Sequence, residues 1–316
     1  MKYLMLGAAA LALTACAAEN KEAEAAVEEA AETVVETVEV AAPEPATSGI
    51  TVAPKERQLE LILAAQPEEV QARYDARNPY ETLLFLGIEP GMNVAEILPG
   101  GGWYSKLLLP YLGEKGTLHG VDYDIEMWPL FGGFATEEFL EARKTWAETW
   151  SAQAEEWRSP ASASLNAFTI STAPAEAAGT LDAVLMVRAY HHFNRFEDQG
   201  GYATAALEEI MTLLKPGGIV GVVQHRAPEG NSDEWANGDN GYVKQSEVIA
   251  DFEAAGFELV EASEINANPK DQPTEEDMVW RLPPTLGTSG EDEELRAQMM
   301  EIGETDRMTL KFRKPA

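Results

Sequence analysis

Residues 94–105 read VAEILPGGGWYS, a short apolar run carrying one acid, then a proline, three glycines and two aromatics. NVAEIL (93–98) has the length and composition of a buried strand, and WYSKLLLPYL (103–112) has helical spacing and stops at Gly113. A glycine bend between a strand and a helix either turns the chain tightly or lets a ligand approach the backbone, because glycine carries no Cβ. The rest of the chain separates those two uses.

Outward from the bend, strand-like and helix-like segments alternate, which predicts an α/β fold with a mainly parallel sheet. A helical region over 54–88 leads to the turn Glu89-Pro90-Gly91. Further strands are expected at GTLHGVDYD (116–124), NAFTI (166–170), LDAVLMV (181–187), IVGVVQH (219–225), FELVEASEI (257–265) and MTLKFRK (308–314). LDAVLMV is the continuous apolar run of a strand buried on both faces, whereas MTLKFRK alternates apolar and polar positions. Helices are expected over 202–214, stopped by Lys215-Pro216-Gly217-Gly218, and over 246–255. Residues 136–158 read as one helix with Thr136 as N-cap, inside a helical insertion at about 128–160. Its stripe of Phe139, Trp146, Trp150 and Trp157 either packs on the domain's flank or caps a substrate pocket.

Ligands of open α/β sheets bind beyond the carboxyl ends of the strands, where strand order reverses, and the glycines lie at such an end. Asp122 ends the second strand, 20 residues after Gly102. A carboxylate there can accept hydrogen bonds from both ribose hydroxyls of an adenosine-containing ligand. Glycine bend and acid together point to an adenosyl cofactor without saying which. A dinucleotide fingerprint needs G-x-G-x-x-G; Gly100-x-Gly102-x-x-Ser105 lacks the last glycine, which disfavours a nicotinamide-dependent oxidoreductase.

The stretch resembles the first motif of class I S-adenosylmethionine-dependent methyltransferases, an acid followed by alternating glycines. Glu96 supplies the acid, Gly100 and Gly102 two of the glycines, and Leu98 stands where that family carries its first. Leu214-Lys215-Pro216-Gly217-Gly218 is similar to the family's turn before strand five, and Leu181-Asp182-Ala183-Val184 to its fourth-strand motif. More narrowly, PGGGWY (99–104), YHHF (190–193), VWRLPP (279–284) and GETDRMTLKF (303–312) together resemble a group of exported, predicted bacterial methyltransferases. The resemblance spans roughly residues 55–316. It implies a Rossmann-like, seven-stranded, mostly parallel sheet with a C-terminal antiparallel strand pair and helices on both faces.

The implied cofactor is S-adenosyl-L-methionine, with Glu96, Gly100, Gly101, Gly102, Trp103, Tyr104 and Asp122 as the residues that hold it. The implied reaction is methyl transfer to an acceptor that the sequence does not name, expected to be a small molecule. Tyr190, His191 and His192 follow strand four, where the transferred methyl group would point, and are the catalytic candidates. A histidine near its ordinary pKa can serve as base at neutral pH. The alternative reading is a non-catalytic lipoprotein that keeps this fold to bind a ligand or partner. Arg281 and Arg307 either bind an anionic group or form structural ion pairs, and His119 and His225, within strands, are expected to pack. With four histidines and one cysteine, no metal site is expected.

The N-terminus, MKYLMLGAAALALTAC, has one early cation and an apolar stretch too short to span a bilayer as a permanent helix, as in a secretory signal. LTAC resembles a bacterial lipobox, which implies a lipoprotein signal peptide over 1–15, lipidation of Cys16 and a place on the periplasmic side; Ala17 after the cysteine, rather than Asp, implies an anchor in the outer membrane. Residues 16–50 carry nine glutamates against one lysine and no aromatics, the composition of a solvated tether rather than a core, so the globular part is expected at 51–316. Contact with the membrane is expected through the lipid alone. A formal net charge of −31 argues against a nucleic-acid partner, whose phosphates require clustered Lys and Arg.

Overall fold

The computed structural model describes residues 55–316; the signal peptide, Cys16 and the tether lie outside the described residues. Four short helices come first: α1 (Lys55–Ala64), α2 (Glu68–Gln71), α3 (Tyr74–Arg77) and α4 (Pro79–Leu86). Then follow β1 (Asn93–Ile97), α5 (Ser105–Leu112), β2 (Thr117–Asp122), a 3₁₀ segment (Ile125–Phe134), α6 (Glu137–Arg143), α7 (Trp146–Glu155) and β3 (Ser164–Thr169). The second half holds β4 (Leu181–Val187), α8 (Tyr190–Arg195), α9 (Glu197–Gly200), α10 (Tyr202–Leu213), β5 (Leu214–Ala227) and β6 (Val243–Lys244). It ends with α11 (Gln245–Ala254), β7 (Glu258–Ser263), α12 (Glu293–Ile302) and β8 (Arg307–Arg313).

The strands form one sheet in the order β3-β2-β1-β4-β5-β8-β7, with the two-residue β6 paired to β5 outside that path. β1 through β5 run parallel, and β8 enters antiparallel between β5 and β7. This is the expected Rossmann-like α/β sheet with its C-terminal antiparallel pair. Successive side chains of a strand point to opposite faces, so each central strand feeds two cores. Ala95, Ile97, Val184 and Met186 pack on one face with residues of α10 and α11. Val94, Ala183 and Leu185 pack on the other with α1, α4 and α5. Burial on both faces is why LDAVLMV is apolar without alternation.

Two local expectations change, and one element is added. The segment read as one helix over 136–158 is two, α6 and α7, because Thr145 leaves helical geometry (φ −113°, ψ 17°). The break lets Phe139 pack against Trp128 while Trp150 turns onto the sheet, where a Cβ on Gly120 would overlap its ring. The opening helical region is interrupted at Pro67, Arg73 and Asn78, the last in the left-handed region with φ 40°. Helix α12 is an element the sequence reading did not place: Leu295, Met299 and Ile302 share one face and are only half-buried, and none of its residues is fully buried, so its stripe is short and weak.

Candidate functional site

Two cavities meet at the VAEILPGGGWYS bend. The larger, about 540 Å³, spans the carboxyl ends of β1 and β4, the place where strand order reverses, and its wall includes Leu98, Gly100, Gly101, Trp103, Arg188 and Trp280. The smaller, about 270 Å³, lies on the β2 side and is lined by Leu98, Gly100, Arg143, Trp146, Trp150 and Gln153 among others. Leu98 and Gly100 line both.

Within the bend the predicted cofactor residues take different roles. Leu98 adopts φ 51°, the left-handed region that glycine occupies readily, so the chain keeps the backbone shape of a glycine at this position while carrying a side chain. Its N–H donates to Val121 O at 2.7 Å, which pins the turn to the end of β2. Gly100 and Gly101 face the larger cavity, and a Cβ on Gly101 would meet nothing within 4 Å, so the loop leaves open space for a ligand. Gly102 does not: it is buried, and a Cβ there would overlap the ring of Trp157, so this glycine serves helix packing rather than a ligand.

Trp103 lines the cavity, with its indole Nε1 donating to Val70 O and the Arg77 guanidinium 4.6 Å from its ring centre. Tyr104 turns the other way, into the core beneath α5, and lines neither cavity. Neighbouring residues at a helix start diverge by about 100° per residue. Glu96 is buried, 4% exposed, and accepts a hydrogen bond from Ser105 Oγ at 2.6 Å; burial pushes its carboxyl up to about 8, against the lowering effect of that bond. It shapes the loop from beneath, and it lines neither cavity.

Asp122 departs most from expectation. It is 1% exposed, one oxygen accepts from Tyr123 N, and the other takes the Arg143 guanidinium at 3.0 Å. Arg143 is itself held over Trp128 and Phe139, with ring centres 4.3 and 4.6 Å away. Burial raises the Asp122 carboxyl, opposed by Arg143. Arg143, not Asp122, faces the smaller cavity, so a ribose reaching the carboxylate must displace the guanidinium. The indole N–H of Trp150, buried without a partner, belongs to the same wall. An adenosyl group therefore fits the open loop and the two cavities, and meets a closed ion pair at Asp122.

The YHHF segment divides. Tyr190 donates to Asp251 Oδ2 at 2.5 Å and packs on Phe252, away from both cavities, so it is not a catalytic group. His191 and His192, next on α8, line the larger cavity together with His225 of β5. The Gln224 side-chain oxygen can only accept, so His191 Nδ1 donates to it (3.2 Å) and Nε2 keeps its lone pair. Tyr123 donates its hydroxyl proton to Ala189 O (3.0 Å), so His192 Nδ1 donates to the Tyr123 oxygen (2.9 Å), and again Nε2 is the free acceptor. Burial lowers all three imidazoles, His191 to about 4 and His192 and His225 well below the usual value. They are neutral at pH 7 and weaker bases than a solvated histidine. His225 lines the cavity rather than merely packing, while His119 pairs with Asn93 Oδ1 at 2.6 Å on the far side of the sheet end.

The cavity's other half was not legible in the sequence. Arg73, Arg77 and Arg188 line it, supplied by the loop before α3, by α3 and by the residue after β4. Glu304 ties Arg73 (2.8 Å), Arg77 (3.2 Å) and Arg307 (3.0 Å) together. The GETDRMTLKF segment thus braces this wall, and VWRLPP contributes Trp280 and Pro284 to it. Arg281 and Arg307 form ion pairs, with Asp271 and Glu304 respectively, as the structural alternative for them held. Among the described residues no group of three or more His, Cys, Asp or Glu could hold a metal ion.

No protein-family model matches the chain, and no curated protein matches it in sequence. Among solved structures it is similar to a SAM-dependent methyltransferase from Aquifex aeolicus, with 18% identity, 66% of this chain and 93% of that one covered, and a TM-score of 0.40. It is similar also to an arsenic(III) S-adenosylmethionine methyltransferase from Chlamydomonas reinhardtii, with 16% identity over 82% and 73% of the two chains and a TM-score of 0.43. A third is the 4+2 cyclase SpnF, with 14% identity over 76% and 81% and a TM-score of 0.44. The fold assignment stands on the strand order itself, and a shared fold does not decide a reaction.

Proposed function

We propose that the protein transfers a methyl group from S-adenosylmethionine to a small-molecule acceptor. The observation that carries this reading is the bend at Leu98–Gly102, open over Gly101, at the reversal point of a sheet whose last strand enters antiparallel between β5 and β7. When bound, S-adenosylmethionine supplies an electrophilic methyl group on a good leaving group. The chain's task is then orientation and exclusion of water. Trp103 and Trp280 wall the larger cavity, and His191 and His192 aim neutral acceptor nitrogens at it. Either nitrogen can take the proton that an oxygen or nitrogen nucleophile loses on methylation.

The reading includes export: a signal peptide over 1–15, lipidation of Cys16, and an acidic tether holding the domain off the outer membrane on its periplasmic side. Conversion of S-adenosylmethionine to S-adenosylhomocysteine in the presence of small-molecule acceptors tests the chemistry. Turnover is expected from the native chain and about a hundredfold less from His192→Phe. A second reading, ligand binding without catalysis, is favoured by two features, the side chain at Leu98 between the cavities and the ion pair that closes Asp122. Binding of S-adenosylhomocysteine with no turnover on any acceptor selects it.

A further inference from the structure

The larger cavity is a basic patch on a strongly acidic chain. Three guanidiniums, Arg73, Arg77 and Arg188, line it, and a fourth, Arg307, packs behind them. One buried carboxylate, Glu304, answers Arg73, Arg77 and Arg307; Glu69 at the rim is exposed. The Arg188 side chain makes no hydrogen bond or ion pair among the described residues. Crowding shows in the charges themselves: burial, then the neighbouring Arg188, pulls Arg77 down to about 10. The cavity histidines are neutral and do not offset the excess.

Arg188 also holds an unusual backbone shape. Its φ is 56°, a region that costs a residue with a side chain, and its N–H is fixed by Val223 O at 2.7 Å. The bend comes at the residue after β4, beside His191 and His192, on the acceptor side of the Leu98–Gly100 divide. S-adenosylmethionine is a net cation, with sulfonium and ammonium against one carboxylate, so it adds to the imbalance instead of relieving it. A guanidinium offers paired N–H donors that match carboxylate and phosphate oxygens.

We propose that the methyl acceptor is an anion, a carboxylate or a phosphate, held by Arg188, with Arg73 and Arg77 supplying the surrounding positive field. The inference rests on the methyl-transfer reading and adds the acceptor's chemical class. Two alternatives are separable from it. In one, Arg188 holds the cofactor's own carboxylate; in the other, the cavity binds an anion with no cofactor at all.

Calorimetric titration of the full chain with inorganic phosphate, benzoate and, separately, S-adenosylhomocysteine distinguishes them. The native chain is expected to bind at least one anion saturably, the preferred probe indicating phosphate or carboxylate. Arg188→Gln is expected to weaken that anion about tenfold or more, and to leave S-adenosylhomocysteine within about twofold. Arg57→Gln, on the exposed side of α1, controls for general charge and is expected to change neither. If Arg188→Gln does not fold, Arg73→Gln decides: about threefold weaker anion binding upholds the proposal and unchanged binding overturns it. Failure of both anions to saturate the native chain overturns the proposal while the methyl-transfer reading stands. Loss of S-adenosylhomocysteine binding with anion binding intact in Arg188→Gln also overturns it, by giving Arg188 to the cofactor. Anion binding through Arg188 with no binding of S-adenosylhomocysteine to the native chain removes the methyl-transfer reading, and with it the acceptor role.

Discussion

Glu96 sits beneath the glycine bend with its carboxyl pushed from 4.5 to about 8 by burial, only partly offset by the hydrogen bond from Ser105. The unfolded chain releases this proton near 4.5, while the folded protein keeps it to about 8, so folding takes up a proton across that interval. What Glu96 contributes to stability is therefore complete below pH 4.5 and is lost as pH rises toward 8. At about 1.4 kcal/mol per pH unit between 4.5 and about 8, the full loss is about 5 kcal/mol, with about 3 kcal/mol of it already lost at pH 7. Glu96→Gln keeps an oxygen to accept from Ser105 and cannot ionise. Urea unfolding of both proteins at pH 5, 6, 7 and 8, followed by tryptophan fluorescence, isolates the effect, because every other titrating group is common to the pair. The native protein is expected to lose about 3.5 kcal/mol relative to the variant between pH 5 and 8. Parallel stability curves would refute the assignment of a protonated carboxyl under the loop.

The backbone at Leu98 predicts a reversal of the usual order: Leu98→Gly should be more stable than Leu98→Ala by about 1 kcal/mol, because alanine keeps the left-handed strain that glycine relieves, as chemical denaturation will measure. Gly102→Ala should cost about 2–4 kcal/mol in the same assay, since it adds strain at φ 75° and drives a Cβ into Trp157. Arg143→Ala should tighten S-adenosylhomocysteine binding by removing the guanidinium that closes Asp122, whereas Asp122→Ala should weaken it about tenfold or more by calorimetry. Since burial depresses His191 to about 4, folding favours its neutral form. Its stabilising effect is present above the ordinary value of 6.5 and is lost as pH falls toward 4, so His191→Gln should lose less stability than the native chain from pH 6.5 to 4.5.

The positions of the central strands were readable because VAEIL, GTLHGVD, LDAVLMV and IVGVVQH are buried strands whose apolar character does not depend on their neighbours; their order in the sheet comes from the structure. The glycine bend and the histidines after β4 were readable for the same reason, as they follow directly from strand ends. Other features depend on contacts distant in sequence. Glu304 reaches Arg73 and Arg77 across more than 220 residues, and nothing in YDAR or GETDR announces that meeting. Asp122 reads as a ribose ligand until Arg143, from a helix of the insertion, is seen upon it. Tyr190 and His191 are adjacent in sequence, but only the start of α8 decides that one faces Asp251 and the other the cavity.

The central claim, that the open loop at Gly100–Gly101 receives an adenosyl cofactor, is tested most directly by blocking it. Gly101 is exposed and a Cβ there meets nothing within 4 Å, so Gly101→Trp is expected to fold while filling the space over the loop. Calorimetric titration with S-adenosylhomocysteine is predicted to give saturable heat with the native chain and none with Gly101→Trp. No heat from the native chain, or equal heat from both proteins, contradicts the account.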